Sequence, residues 1–375
     1  MAMTSRERML TTWAFREADR VPIELGISEP ARQFPEAERI VRFLDEEADN
    51  FYGARGADWG FLGLPATYDE EVVEDVPGDF LRKRRVFHTD AGDFWALTRH
   101  KYEELNATDF HWERRYIHTL DDMRRLAEAP RAQAPIFPQE FRERVAAGGE
   151  RGLPLAGLLH PLGWLVRQAT HEHVYAWLAA EPQVMHRFLE KANQQVADTV
   201  TAMCRAGIGP YFSVTAHEML IPPWMSPRMF DEFVFPYDKR VNDAVHAGGG
   251  RLRCHCHDKV SDILEKLADM GVDALEPVEP PPFGDVDLAD AKRRVGGRMM
   301  LSGNVPSQEF PTATPAQVRQ WVKEAMDAGK PGGGFALRTT GGGASTNAAK
   351  DADQMRVILK CIEAYIDAGL ELGQY

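Results

Sequence analysis

The sequence is poor in cysteine. It has four cysteines among 375 residues, and two of them, Cys254 and Cys256, stand close together. A set this small and this clustered does not suit a disulfide framework and is typical of a reducing compartment. The first residues are polar and charged, without the apolar core of a signal peptide. We therefore expect a cytoplasmic protein.

Long apolar runs and an excess of basic charge are also missing. The run of most interest, residues 152–166, contains two prolines and a histidine and is too short to cross a bilayer. Lys and Arg number 44 against 57 Asp and Glu, for a formal net charge of −13. An acidic surface repels phosphate groups. We therefore expect neither a membrane nor a nucleic acid to be a partner.

The sequence does contain a regular alternation of short apolar runs and amphipathic segments, in a composition that is ordinary for a globular protein. From residue 150 onward the pattern predicts buried strands at 153–159, 211–215, 251–256, 272–276, 298–302 and 334–338. Helices are predicted between and after them, at 183–206, 226–247, 259–270, 286–295, 314–329 and 351–369. Earlier strands at 21–25 and 57–63 bring the count to eight. Eight such units in this length favour an α/β fold, a single (β/α)₈ TIM barrel, over a doubly wound open sheet.

The N-terminal third carries two further features. Thr4 and Glu7 have the spacing of a capping box, which predicts a helix from there to about Ala18, and a second helix is predicted at 36–52. Residues 72–120 alternate and are rich in turns, with a hairpin turn at Asp90–Gly92. We interpret this segment as an antiparallel insertion within one domain that covers residues 1–375.

Chemistry in such barrels lies at the C-terminal ends of the strands, so the polar residues that follow each predicted strand are the site candidates. His217 and Glu218 follow the fourth strand and are predicted to be catalytic. Substrate-binding roles are predicted for side chains after the third, fourth, seventh and eighth strands: His160, Trp164, Trp224, Asn304 and Arg338.

The strongest local signal is the run from Cys254 to Asp258, which reads Cys-His-Cys-His-Asp. On an extended chain His255 and His257 point to the same side, and two neighbouring imidazoles suit a first-row metal. A carboxylate from a neighbouring strand end would be the third ligand, with Glu279 selected over Glu276 and Glu218. Glu276 and Glu279 are alternatively a general acid and base. Two neutral histidines that bind a substrate carboxylate, or simply pack, are the competing interpretation.

Several segments together resemble the uroporphyrinogen decarboxylase superfamily, whose fold is a (β/α)₈ barrel. The segments are Leu159-His-Pro-Leu-Gly163, Met225-Ser-Pro-Arg-Met-Phe-Asp-Glu-Phe-Val-Phe-Pro236, Gly271-Val-Asp-Ala-Leu-Glu-Pro-Val-Glu-Pro-Pro281 and Leu301-Ser-Gly-Asn304. The true decarboxylases carry a Met-Arg-Gln-Ala-Gly-Arg motif that grips the carboxylates of the tetrapyrrole. Here the stretch after Pro22 reads Ile-Glu-Leu-Gly-Ile-Ser-Glu-Pro-Ala-Arg32, and the motif is gone.

The sequence also resembles another branch of that superfamily, the corrinoid-dependent methyltransferases and demethylases. In that branch a His-x-Cys pair and a later cysteine hold zinc. His255-Cys-His257 falls at the pair with histidine in place of cysteine, and Gly341-Gly-Gly343 stands near the place of the later cysteine. The resemblance implies a corrinoid-linked methyltransferase or demethylase for a small organic methyl donor. Zinc or a similar divalent metal, a corrinoid supplied by a partner protein, and a homodimer are implied with it. A decarboxylase for a non-standard substrate and a non-catalytic binding barrel are the alternatives.

Overall fold

The structure, a computed structural model, describes residues 3–102 and 110–375. Its strands, in chain order, are β1 Ile23–Glu24, β2 Phe51–Gly53, β3 Thr67–Val76, β4 Phe80–Thr89, β5 Gly92–Lys101, β6 His111–Arg114, β7 Leu153–Gly157, β8 Tyr211–Val214, β9 Arg251–His255, β10 Ala274–Val278, β11 Met300–Val305 and β12 Phe335–Thr339. Its α-helices are α1 Ser5–Trp13, α2 Glu29–Arg32, α3 Glu38–Glu46, α4 Leu120–Glu128, α5 Pro138–Gly148, α6 Pro161–Gln168, α7 His171–Ala180, α8 Pro182–Arg205, α9 Pro227–Phe233, α10 Phe235–Ala247, α11 Leu264–Met270, α12 Leu288–Val295, α13 Pro315–Gly329 and α14 Ala352–Leu372.

Eight parallel strands form the barrel, in the order β1-β12-β11-β10-β9-β8-β7-β2. The remaining gap, between β1 and β2, is bridged by the two residues that precede β2. The backbone N–H of Asp49 donates to the carbonyl of Ile23 at 2.9 Å. The Asn50 side chain bonds both the N–H and the carbonyl of Leu25, at 3.0 and 2.8 Å. The predicted (β/α)₈ architecture is confirmed.

Several predicted boundaries are wrong, among them the end of the first helix, which lies at Trp13 and not near Ala18. The second barrel strand is β2 at residues 51–53, not 57–63, because residues 57–63 turn back on themselves with Gly60, Leu62 and Gly63 in the left-handed region. The helix predicted over 36–52 ends at Glu46 so that β2 can begin. The helix predicted over 226–247 divides at Val234, since Pro236 has no N–H to donate to the preceding turn.

The insertion is a four-stranded antiparallel sheet in the order β3-β4-β5-β6, so the predicted type is confirmed with wider bounds than 72–120 at its start. Its hairpin turn falls at Asp90 and Ala91, and Gly92 takes a φ of +94°. Phe87 and Phe94 of this sheet stack on Phe61 at centroid distances of 4.8 and 5.3 Å. The insertion is thereby packed onto the loop that follows β2.

The N-terminal end of the barrel is closed by α1. Met9 and Trp13 are 1% exposed and pack against inward side chains that include Leu153 and Met300. Trp13 also stacks on Tyr211 at 5.3 Å. The opposite end, where the strands finish, is the end that carries the polar side chains. Among the described helices, none has both the length and the apolar character needed to cross a membrane.

Candidate active site

A layer of charged side chains crosses the barrel interior, next to the apolar side chains that pack around Met9 and Trp13 at the N-terminal end of the barrel. Glu24 on β1 accepts from Arg253 on β9 at 2.6 Å and from Arg338 on β12 at 2.8 Å. The hydroxyl of Ser302 on β11 donates to the other oxygen of Glu24. Glu24 is 1% exposed, and a carboxylate in that position is stable only when it is paired and hydrogen-bonded.

Glu276 on β10 connects this layer to the strand ends. Its Oε1 lies 2.9 Å from Nδ1 of His255, and its Oε2 lies 3.1 Å from Nε of Arg338. Burial works against its ionisation, but Arg253 and Arg338 hold the pKa of Glu276 well below its usual range. Glu276 is therefore a carboxylate at neutral pH, and it orients His255.

Glu279 stands behind His257 in the same way. One of its oxygens lies 3.1 Å from Nδ1 of His257 and accepts from the Gln308 amide at 3.0 Å. The other oxygen accepts from the backbone N–H of Asp258 at 2.9 Å. Both oxygens of Glu279 are thus engaged. These contacts fix Glu279 beside the His257 ring and leave neither of its oxygens without a partner.

The two imidazoles face the open end of the barrel. Their ring centroids are 4.6 Å apart with an interplanar angle of 81°, and the His255 and His257 side chains are 28% and 35% exposed. A carboxylate can only accept, so each Nδ1 carries a proton and each Nε2 is left for a ligand. Burial opposes protonation of His257, but Glu279 raises the pKa of His257 above its ordinary value.

Glu218 also lies at this end. Its Oε1 accepts from Arg167 on α6, and that guanidinium stands 5.6 Å from the ring centre of Trp164. Burial disfavours the charged form of Glu218, but Arg167 and His255 lower the pKa of its carboxyl group. Its second oxygen is buried without a hydrogen-bond partner among the described residues. Glu218 therefore presents a carboxylate on the side of the histidine pair.

His160 and His217 were expected to line the open end of the barrel, but they do not. Both are buried, at 2% and 1% exposed, and their Nε2 atoms lie 2.8 and 2.9 Å from the same oxygen of Asp238 on α10. His217 Nδ1 also lies 3.5 Å from Sγ of Cys254. Burial works against ionisation of Asp238, but the two imidazoles hold the pKa of its carboxyl group well below the usual range. The cluster ties the ends of β7 and β8 to α10.

Within residues 3–102 and 110–375, His160, His217 and Asp238 are the group of three whose ligand-type atoms all lie within 4.8 Å of one another. The two imidazoles share one carboxylate oxygen, to which His217 Nε2 is hydrogen-bonded and from which His160 Nε2 lies 2.8 Å away. The imidazoles are stacked 4.0 Å apart and 7° from parallel. Each ring lone pair lies in its own ring plane, so two parallel rings do not aim at one ion between them.

Two other predicted substrate-binding residues, Trp224 and Asn304, are placed as follows. Trp224 is 50% exposed and faces Tyr175 at 6.4 Å. Asn304 lines a separate surface cavity together with Trp321 of α13. Trp164, in contrast, lines the large cavity at the ends of β7 and β8, and Arg338 belongs to the charged layer.

Zinc at His255, His257 and Glu279 stays a prediction, and the donor set weighs against it. A catalytic zinc takes three protein ligands, whereas both oxygens of Glu279 are engaged and both cysteines of the motif are fully buried. Sγ of Cys256 lies 3.6 Å from the carbonyl of His257. Glu218 does not complete the site either, because among the described residues its carboxylate does not lie within 4.8 Å of the ligand atoms of both His255 and His257. The described residues therefore supply two imidazole nitrogens and no complete three-ligand site.

Sequence reasoning missed Glu24, Arg253, Ser302, Asp238 and Gln308. The sequence did offer a sign that Glu24 is functional, since it is the one charged residue in the apolar run 21–25. A similar sign marked Arg253, because it lies two residues before His255 and so points to the same inward face of the strand. Asp238 and Gln308 lie on a helix and a loop, and their contacts depend on the tertiary fold.

Comparison with known proteins agrees with this architecture. The family model described as Uroporphyrinogen decarboxylase (URO-D) matches residues 162–363, more than half of the chain. The uroporphyrinogen decarboxylase of Picosynechococcus sp. is 33% identical over 129 residues, which are 34% of this chain and 34% of that protein. The uroporphyrinogen decarboxylase of Cupriavidus necator is 31% identical over 174 residues, which are 43% of this chain and 42% of that protein.

The matched segment therefore spans about a third to two fifths of the length of these curated relatives. Among solved structures, a methyltransferase from Methanosarcina mazei aligns over 97% of this chain and 99% of its own, with a TM-score of 0.55 and 17% identity. That likeness shows a shared fold. Since the family model covers more than half of the sequence, the chain belongs to the uroporphyrinogen decarboxylase family.

Proposed function

We propose that this protein is an enzyme that removes a methyl group from an oxygen of a small organic donor and passes it to a corrinoid on a partner protein. The His257–Glu279 pair is the observation that carries the proposal, because it supplies a histidine with a raised pKa at the open end of the barrel. When a carbon–oxygen bond breaks, its electron pair stays on the oxygen. A positioned acid that protonates this oxygen makes it a better leaving group.

Different residues of this chain supply the proton, position the acid and orient the donor. His257 gives the proton on Nε2 to the departing oxygen, and Glu279 stabilises the charged ring that precedes the transfer. Gln308 and the N–H of Asp258 hold Glu279 in place. His255, fixed through Nδ1 by Glu276, uses its Nε2 to orient the donor.

The corrinoid would supply the nucleophile that accepts the methyl group. It would reach the site from outside, and the exposed fractions of His255 and His257 fit such an approach. The partner protein and the homodimer both stay predictions.

Decarboxylation is the runner-up, because it is the activity named for the matched relatives. A decarboxylase of this type needs cations for the substrate carboxylate. Arg253 and Arg338 are instead paired with Glu24 and Glu276. A non-catalytic barrel is less favoured, because His255 and His257 are each held through Nδ1 by a buried carboxylate, an arrangement that suits proton transfer or orientation of a reacting group.

The test uses chemically reduced cobalamin and a panel of methyl ethers, with methylcobalamin formation followed by visible absorption. We expect formation that depends on the protein and falls about 10²- to 10⁴-fold in His257→Gln, the range for loss of a general acid. The matched control is His246→Gln. His246 pairs with Asp273 at 2.9 Å, beside the start of β9, at the other end of the barrel.

Equal loss in both variants, or none in His257→Gln, would overturn the role of His257. Carbon dioxide release from a carboxylated substrate without any cobalamin would replace methyl transfer with decarboxylation.

A further inference from the structure

A large cavity lies between the insertion sheet and the ends of β7 and β8. Its volume is about 530 Å³, enough for a drug-sized ligand. Seven of its sixteen lining residues are aromatic, and they come from the loop after β2, from the insertion and the residues just after it, and from α6: Trp59, Phe61, Phe87, Phe110, Trp112, Tyr116 and Trp164. A mainly apolar and aromatic lining with few polar groups is typical of a small-molecule site.

The aromatic side chains of the wall already pack as rings on rings. Phe61 is stacked on Phe87 with an interplanar angle of 24°, and the two rings meet Tyr116 at 5.4 and 5.1 Å. Trp112 stands edge-on to Tyr116 at 5.8 Å. A planar ring entering the cavity would continue this arrangement, and such contacts add to the free energy gained from burial alone.

The polar side chains of the lining are few: Arg85, Gln168, Ser213 and Thr215. Ser213 and Thr215 lie at the end of β8, the strand next to β9. Ser213 is in register with Arg253, so Thr215 and His255 come two residues later at corresponding positions on the inward face. This register places the β8 edge of the cavity on the strand next to the one that carries His255.

Arg85 also lines the cavity, but its charge is engaged. Its Nε donates to Glu70 at 2.8 Å, and its guanidinium stands 4.9 Å from the ring centre of Tyr68. Selection by this cavity thus rests on its aromatic wall more than on charge.

We propose that the cavity is the substrate subsite and that it selects an aromatic ring, with the reacting substituent at the end of β8. The substrate class is therefore aryl ethers. The assignment of the ether as the reacting group rests on the proposed function, whereas the preference for an aromatic ring rests on the cavity alone.

The test compares two neutral ligands of equal substitution, 4-methoxyphenol and 4-methoxycyclohexanol, by isothermal titration calorimetry on the whole protein. We expect the aromatic compound to bind at least about fivefold more tightly. Trp112→Ala should remove most of that difference. Phe87→Leu keeps an apolar side chain in the wall and serves if the first variant does not fold. Trp321→Ala, in the separate cavity beside α13, should leave both affinities unchanged.

Equal affinity for the two compounds, or the same loss in Trp321→Ala, would overturn the subsite. The two proposals fail separately. Tight binding of 4-methoxyphenol without methyl transfer to cobalamin refutes the proposed function and leaves the subsite standing. Methyl transfer from the saturated ether at equal efficiency refutes the subsite and leaves the proposed function standing.

Discussion

Replacing Glu24 by glutamine should destabilise the protein by about 3–5 kcal/mol, the usual cost of breaking a buried ion pair by removing one partner. Glu24 contacts two guanidinium groups, at 2.6 and 2.8 Å. At an effective dielectric constant of 20, the attraction at 2.6 Å is about 6 kcal/mol, and much of it offsets desolvation of the charges. The substitution keeps the volume of the side chain and removes its charge, so Arg253 loses its closest counterion inside the barrel.

The assay is urea unfolding followed by tryptophan fluorescence, applied to Glu24→Gln, Arg253→Met and the double variant. The double variant should cost less than the sum of the single costs by at least about 1 kcal/mol, because it removes both charges together. Asp243→Ala, in the exposed pair with Lys239, is the control and should stay within about 0.5 kcal/mol of wild type. A loss under about 1 kcal/mol for Glu24→Gln, or strict additivity, would refute the reasoning.

Three other outcomes are expected. Glu279→Gln should move the alkaline limb of the pH–activity profile to lower pH, because Glu279 raises the pKa of His257; an unmoved limb would exclude His257 as the acid. Burial disfavours the charged form of Asp19, but Arg8 and backbone N–H groups hold its pKa at about 2 against an ordinary 3.8. Its contribution to stability is therefore present above about pH 4 and lost as the pH falls toward 2, so Asp19→Asn should lower the unfolding temperature at pH 7 and not at pH 2. Dialysed protein should contain well under one zinc per chain by mass spectrometry, and its activity should survive EDTA; one equivalent of zinc that disappears in His257→Gln would contradict this.

Local chemistry made much of the fold predictable. The side chains of Thr4 and Thr314 accept from the backbone N–H three residues later, and each cap marks the start of a helix where the sequence places it. Strand β2 could not be found in that way. It has three residues and ends in a glycine, and its pairing with β7 is a long-range contact. The apolar residues Phe61 and Leu62 made the stretch 57–63 resemble a buried strand. Both are indeed buried, but they lie in a loop, and Phe61 packs against the insertion.

The site was predictable where strand alternation governs it. His255 and His257 do share a side of the chain, and Glu276 and Glu279 do stand beside them. The sequence could not tell a carboxylate that binds a ligand from one that positions an imidazole, since this depends on Gln308 and on a backbone N–H.

The roles of His160 and His217 stay predictions, but the sequence did not indicate that their side chains are buried. Both follow strands and so were expected at the open end of the barrel. Their partner Asp238 is a buried residue on α10, and nothing in the local sequence marks it as facing them.

Two different parts of the fold contribute the side chains at the open end of the barrel. The titratable groups come from β9, β10 and the charged layer, whereas the aromatic wall comes from the loop after β2, from the insertion and the residues just after it, and from α6. Among the described residues, the four insertion strands pair with one another and with no barrel strand. Exchanging β3 to β6 would therefore change part of the cavity wall and leave the titratable groups of the barrel in place. The same division gives the protein engineer a graft boundary, at the loop after β2 and the turn before α4.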